Sequence, residues 1–271
     1  MLISIIGLGF VGNAIHQSYI KKGVDLVVYD KFKNIGSLEP CLKSDIMFLA
    51  LPTVYDYKLG EYDKQPIIDT CEYLTEQSYG GLIVIKSTVE PQTTEKLSSR
   101  FPTLNFVHNP EFLKAKTAEE DFHNQTHIVL GKSESCKQEL FDKLCEFYSH
   151  YYPDATISKC SSTESEMMKI FVNSFYSVKI QFFTELYLTC EKTGTSFDAI
   201  KNMMLANDQI HESFTHVPGH DGQISYGGLC FPKDTNALNK FMEKNEIPNA
   251  ILSACVKERN NMRKDHDNCN L

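Results

Sequence analysis

Apolar residues fall in short continuous runs through the first half of the chain. Leu2 to Gly7, Asp25 to Asp30, Asp45 to Leu51, Gly81 to Thr88, Leu104 to Pro110 and His127 to Gly131 each read as a strand. Between them the period changes to that of a helix, at Val11 to Lys22, Gln65 to Gln77, Thr93 to Ser99 and Glu134 to Tyr148. Continuous apolar strands alternating with helices predict a parallel sheet covered on both faces, the α/β class. The second half has no strand pattern. From Thr163 to about Lys192 the chain lacks Pro and Gly, which predicts one long helix. Its start is expected at Ser162 or Thr163 as N-cap and its end at Gly194. Further helices are expected at Phe197 to Leu205, Asp234 to Lys244 and Pro248 to Lys264, with Pro248 at the first helical position. A glycine-rich loop, His216 to Gly228, lies among them. The expected division is a 1–160 α/β domain and a 161–271 all-helical domain built on the long helix.

Charge and composition narrow the function classes. Lys plus Arg number 27 against 35 Asp plus Glu, a formal charge of −8, which disfavours nucleic acid as a partner. No apolar run reaches the ~18 residues of a membrane span, and Met1 to Ile6 reads as a buried strand rather than a signal peptide. The nine cysteines include no C-x-x-C pair, which predicts reduced thiols in a cytoplasmic setting and no metal site.

Gly7-Leu8-Gly9-Phe10-Val11-Gly12 is a G-x-G-x-x-G that follows a strand, opens a helix and precedes an acidic strand end at Asp30. That context matches the dinucleotide fingerprint of a Rossmann-type domain. Gly7 would permit the turn, Gly9 would admit a pyrophosphate, and Gly12 would let the helix pack closely; the helix N-terminus favours the anion. Asp30 would accept the adenosine ribose hydroxyls and repel a 2′-phosphate, so NAD is expected over NADP, with Lys31 and Lys33 as the counterweight. Thr53, Thr88 and Glu111 stand just beyond strand ends, where ligands bind in open α/β sheets. Thr88 can equally cap the next turn, and Glu111 a helix start.

Lys169 and Asn173 share one helix face and together can stabilise an oxyanion; a solvent-facing pair is the alternative. Gly227-Gly228-Leu229-Cys230-Phe231-Pro232-Lys233-Asp234 carries the strongest signal. A thiol at a helix N-terminus is activated towards the thiolate, and Lys233 would help. The other eight cysteines are expected to be structural.

This last segment resembles the active-site signature of the UDP-glucose/GDP-mannose dehydrogenases. GLGFVG, KSTVEP (Lys86 to Pro91), NPEFL (Asn109 to Leu113), the K-x-x-x-N of Lys169 and Asn173, and GGLCFPKD occur in the family's order, over residues 1 to about 264. The resemblance implies a four-electron oxidation of a nucleotide sugar's C6 alcohol to the carboxylate, with UDP-glucose the first candidate and two NAD used in turn. It casts Cys230 as the nucleophile, Lys169 and Asn173 as oxyanion partners, Asp234 as a proton and water handler, Glu111 as the base of hydrolysis and Thr88 as a holder of water and cofactor. It adds Phe10, Val11 and Lys233 to the cofactor contacts, and Phe112, Leu113, Gly227, Gly228 and Arg259 to the substrate contacts. It also implies a homodimer through the long helix.

Two departures stand out. Ala115 and Lys116 occupy positions where the family usually has Glu and Gly. The sequence ends at Leu271, where the family continues into a second nucleotide-binding α/β domain; the loop from His216 to Gln223, with Arg259 and Arg263, is the expected substitute. Two other functions compete: a two-electron hydroxyacid dehydrogenase, and a catalytically weak NAD-binding subunit.

Overall fold

The computed structural model describes residues 1–114, 116–263 and 265; Ala115, Lys264 and residues 266–271 lie outside them. The elements in chain order are β1 (Ile3–Ile6), α1 (Phe10–Lys21), β2 (Leu26–Tyr29), α2 (Leu38–Cys41), β3 (Ile46–Leu49), β4 (Tyr55–Asp56), β5 (Glu61–Tyr62), α3 (Gln65–Glu76), β6 (Leu82–Ile85), α4 (Thr93–Arg100), β7 (Asn105–His108), α5 (Ala118–His123), β8 (His127–Lys132), α6 (Gln138–Tyr151), β9 (Thr156–Ser161), α7 (Ser162–Thr193), α8 (Phe197–Leu205), α9 (Phe231–Lys244) and α10 (Ala250–Met262). They form two compact units. One comprises residues 1–56 and 62–169, the other 57–61 and 170–271.

In the first unit seven strands make one sheet in the order β2-β1-β3-β6-β7-β8-β9. The order reverses at β1, so β1 and β3 flank a topological switch point, where open α/β sheets bind ligands. Neighbours run parallel except β7 and β8, where His108 faces Gly131 in antiparallel register. A wholly parallel sheet was the expectation. Between β7 and β8 lies the six-residue α5, whose Phe122 packs on Tyr19 of α1.

The strands are apolar throughout because both faces are covered. Ile3, Ile5, Phe48 and Val84 pack on one face with Ile15 and Tyr19 of α1 and Leu144 and Tyr148 of α6. Ile6, Met47, Leu49, Ile83 and Ile85 pack on the other with Ile67 and Leu74 of α3 and Leu97 of α4. Successive side chains point to opposite faces, so one run supplies both cores.

Helix α7 starts at a capping box. The Glu164 carboxylate accepts the N–H and the hydroxyl of Ser161, each at 2.8 Å, while Ser161 Oγ accepts the Glu164 N–H. The N-cap is therefore Ser161, ahead of the expected Ser162 or Thr163; the reciprocal Ser-x-x-Glu pair decides it. Gly194, at φ +67°, ends the helix. Pro248 precedes the α10 N-cap, Asn249, rather than opening the helix. The first two turns of α7 belong to the sheet unit because their polar side chains are tied there. Ser162 donates to Glu95, Ser165 Oγ lies 2.8 Å from His108 Nδ1, and Glu166 accepts the Thr94 N–H and hydroxyl. The compact units thus change over inside α7, between Lys169 and Ile170.

Glu166 is fully buried and its Oε2 has no partner among the described residues. Burial pushes its carboxyl up to about 7, against the two Thr94 donors. A carboxyl raised on folding contributes stability below its ordinary value and loses it as pH rises through about 7. Glu166→Gln should therefore melt above the wild type near pH ~8 and close to it near pH ~5. Coincident melting curves near pH ~8 would contradict this account of the site.

Candidate active site

Because the strands from β2 to β7 are parallel, the segments after β1, β2, β3, β6 and β7 reach one edge of the sheet. Gly7 follows β1 with φ +89°, and a Cβ there would stand 2.6 Å from the Ala50 carbonyl oxygen after β3. A Cβ on Gly12 would stand 1.8 Å from the Gly7 carbonyl oxygen, so only glycine lets α1 start this close to the loop. A Cβ on Gly9 would meet nothing within 4 Å. A cavity of about 470 Å³ opens beside the loop, lined in part by Gly9, Phe10, Asn13, Lys33 and Lys116. Phe10 is exposed and Val11 half-buried in the first turn of α1, which no side chain caps. The loop, the uncapped N–H groups and two lysines at the cavity fit a dinucleotide's pyrophosphate.

Asp30 is buried beside this loop. Its Oδ2 accepts the Leu8 N–H at 2.7 Å, and Oδ1 accepts those of Phe32 and Lys33. Lys33 Nζ reaches back to the Leu8 carbonyl at 2.6 Å, whereas Lys31 is exposed. Asp30 thus shapes the glycine loop in addition to ending β2, a role the sequence reading did not assign. Burial alone would raise its carboxyl, but the Leu8, Lys33 and Phe32 N–H donors and the Lys33 ammonium hold it below the usual range.

After β3 and β6, Thr53 is buried and its hydroxyl donates to the Thr88 carbonyl at 2.8 Å. After β7, the Glu111 carboxylate meets the Lys169 ammonium at 3.2 Å, and the Glu111 carbonyl accepts from the same nitrogen at 2.5 Å. Glu111 Oε2 also accepts the Leu113 N–H at 2.7 Å, in a segment that starts no helix; the next one, α5, begins at Ala118. Lys169 is buried and lies 5.3 Å from the ring centre of Phe112, which stacks on His127. Lys169 is therefore no solvent-facing lysine. Leu113 is half-buried; Ala115 lies outside the described residues.

In the second unit, α9 begins at Phe231, with Pro232 in its first turn and Cys230 at its N-cap. Phe231 packs on Phe214 and Tyr176 of α7, which anchors this end of the helix. Cys230 is exposed, while Cys41, Cys71, Cys136, Cys145, Cys190 and Cys255 are buried and Cys160 is half-buried. Asp234, fully buried in the first turn of α9, accepts the Asn173 amide at 2.6 Å and the Lys233 ammonium at 2.5 Å. Asn173 is buried as well. The two polar positions on α7, one turn apart, are thus both inward: one on Glu111, the other on Asp234.

The glycines before Cys230 have different tasks. Gly228 takes φ +80°. A Cβ on Gly227 would stand 2.3 Å from the Arg263 guanidinium, so the close approach is to an arginine of this chain. Arg263 also pairs with Asp221 and Asp265 and donates to the Ile224 and Ser225 carbonyls. Arg259 is 1% exposed, donates to the Tyr226 carbonyl and pairs with Asp265. Both arginines, expected to serve the substrate's nucleotide, are thus buried and paired within this chain. Their charges are matched by Asp265 and, for Arg263, also by Asp221 of the glycine-rich loop, and stripping a buried pair costs several kcal/mol, ~3–5. Sequence reading also missed Lys86 and Glu166, whose surroundings no local pattern reveals.

The sheet with its glycine loop, and the helical unit with an exposed thiol beside a buried carboxylate, define a dinucleotide-binding α/β protein with a thiol-bearing helical unit. Residues 31–151 match the NAD binding domain of the UDP-glucose/GDP-mannose dehydrogenase family, and residues 163–261 match its central domain. The chain belongs to that family. It is 32% identical to the UDP-glucose 6-dehydrogenase of Rickettsia felis over 237 residues, covering 84% of this chain and 50% of that protein. It is 28% identical to the UDP-glucose 6-dehydrogenase of Campylobacter jejuni, covering 97% and 73%. The structure of a UDP-glucose dehydrogenase from Pyrobaculum islandicum shares the fold, with a TM-score of 0.82 at 24% identity over 94% of this chain and 67% of that one. The chain spans about half the length of the Rickettsia relatives it matches. Among the described residues no helix is long and apolar enough to cross a membrane.

Two predictions follow from the loop. Gly12→Ala should lose about 1–3 kcal/mol of stability by overpacking, read as a lower melting temperature, while Gly9→Ala should keep its stability and bind NAD more weakly. Equal melting temperatures for Gly12→Ala and wild type would contradict the close packing. For Asp30, a lowered carboxyl contributes stability above its ordinary value and loses it as pH falls through the folded one, below ~4. Asp30→Asn should therefore show less acid loss of stability than wild type between about pH 5 and pH 3. It should also narrow the preference for NAD over NADP in a binding titration. An unchanged preference would remove Asp30 from cofactor selection.

Proposed function

We propose that this chain carries out the NAD-dependent oxidation of a nucleotide sugar's C6 alcohol to the carboxylate, with UDP-glucose as the first substrate to test. The observation that carries the reading is the array at the start of α9. An exposed Cys230 precedes Asp234, and the Asn173 amide and Lys233 ammonium both bind that carboxylate. A single hydride transfer needs no thiol, whereas retention of an aldehyde between two oxidations does.

NAD, held by Gly7, Gly9, Phe10, Val11, Gly12 and Asp30 with Thr53, Thr88, Glu111 and Lys233 towards its reactive end, supplies the hydride acceptor for each oxidation. In the first, the C6–H bond breaks and the hydroxyl proton leaves to water held by Asp234. The Cys230 thiolate then adds to the aldehyde carbon, and Lys169 and Asn173 stabilise the oxyanion of the thiohemiacetal. Loss of a second hydride leaves a thioester on Cys230. Water deprotonated by Glu111 adds to that thioester, with Thr88 holding the water, and the C–S bond breaks to release the carboxylate and the thiol. Phe112, Leu113, Gly227 and Gly228 line the sugar in this reading. Phe171, Phe175 and Phe182 stand exposed on α7 and support a homodimer through that helix. The pattern of cysteines without C-x-x-C pairs supports a cytoplasmic location.

The test is NADH formed per UDP-glucose consumed. Two NADH supports the reading; one points to a two-electron hydroxyacid dehydrogenase, and none to a cofactor-binding subunit. Cys230→Ala should abolish carboxylate formation and retain NAD binding. Normal uronate production by that variant removes the thioester route.

A further inference from the structure

The mechanism above leaves one buried cation of the sheet unit unused. Lys86, just after β6, is 2% exposed, and no carboxylate lies within ion-pair distance of it among the described residues. Its ammonium donates to Asn109 Oδ1 at 2.9 Å and to the Pro110 carbonyl at 3.4 Å, and lies 5.6 Å from the ring centre of Phe122. A buried ammonium is costly, so a lysine kept here without a counter-ion in contact has a task.

The surroundings identify that task. Asn109 Oδ1 also accepts the Tyr148 hydroxyl at 2.5 Å, and Asn109 Nδ2 donates to the Val129 carbonyl at 2.8 Å. The amide is therefore fixed from three sides. Pro110 follows with a ring-locked φ. Glu111 comes next, its carbonyl and carboxylate both on Lys169. One lysine thus grips the peptide before Glu111 and another the peptide after it. The three charges also sense each other. Burial pulls Lys86 down to about 7, the Glu111 carboxylate opposes this, and Lys169 adds to it. His108, the neighbour on β7, is pushed down to about 3, by burial first and then by the Lys86 charge, so it stays neutral near pH 7.

We infer that Lys86 is a positioning residue: its ammonium pins Asn109 and Pro110 so that the Glu111 carboxylate is presented in one orientation to Lys169 and to the reacting carbon. This rests on the proposed function for its catalytic consequence, and on geometry alone for its structural one.

Lys86→Met in the full chain tests both. With NAD and UDP-glucose, kcat should fall about tenfold or more while KM for NAD stays within about twofold, since the glycine loop is untouched. In a Glu111→Gln background the same substitution should change kcat by less than about twofold, because the group it positions is already gone. Hydrogen exchange supplies a readout independent of turnover. The Leu113 N–H, bonded to Glu111 Oε2, should exchange about tenfold faster in Lys86→Met, while the Ile5 amide of β1 keeps its protection. If Lys86→Met does not fold, Lys86→Gln takes its place with the same criteria. Unchanged exchange at Leu113, or an equal kcat loss with and without the Glu111 carboxylate, overturns the inference. A wild type that forms no NADH overturns the functional reading, and the exchange result still decides the role of Lys86.

Discussion

The close contact between Gly12 and the Gly7 carbonyl sets the geometry of the sheet unit's ligand edge. It fixes where α1 begins, and so where its unsatisfied N–H groups lie relative to the carboxyl ends of β1 and β3. Asp30 secures the same loop from the β2 side by accepting the Leu8 N–H. A side chain at Gly12 would move the helix, and with it the anion site, the Lys33 contact and the cavity beside them. The rest of the ligand edge follows from strand direction. Parallel β1, β2, β3, β6 and β7 bring Gly7, Asp30, Thr53, Thr88 and Glu111 to one edge although they are far apart in sequence.

The chemical groups obey a second constraint, that a buried charge needs a partner, ionic or polar. Glu111 with Lys169, and Asp234 with Lys233 and Asn173, are each satisfied within their own unit. Helix α7 contributes to both sets, with Lys169 and Asn173 one turn apart. Its first turns are tied into the sheet unit by Ser162, Ser165 and Glu166. Arg259 and Arg263 at the end of α10 follow the same rule, paired with Asp265 and donating to carbonyls of the glycine-rich loop that leads to Cys230.

Much of this was legible in the sequence because it depends on local pattern. Apolar runs of strand length marked β1, β2, β3, β6, β7 and β8, and the glycine spacing marked the turn into α1. Edge strand β9 was missed because four of the six residues of TISKCS are polar, and α5 because AEEDFH is short and offers only Ala118 and Phe122 to the core. The antiparallel direction of β8 could not be read from its own residues, since it depends on which strand edge the chain returns to. At the site, glycines and the Cys230 turn were legible as motifs. The burial of Arg259, the tie between Asp30 and Leu8, and the grip of Lys86 on Asn109 join residues that no spacing rule connects.

The central claim is covalent capture of the substrate by Cys230. The most direct measurement is peptide mass spectrometry on a Glu111→Gln chain quenched during incubation with NAD and UDP-glucose, where slowed hydrolysis lets the thioester accumulate. The account predicts a mass increase of one oxidised nucleotide-sugar acyl group on the peptide containing Cys230, present only when both NAD and UDP-glucose are supplied. NADH formation with an unmodified Cys230 peptide, or the adduct on a different cysteine, would contradict it.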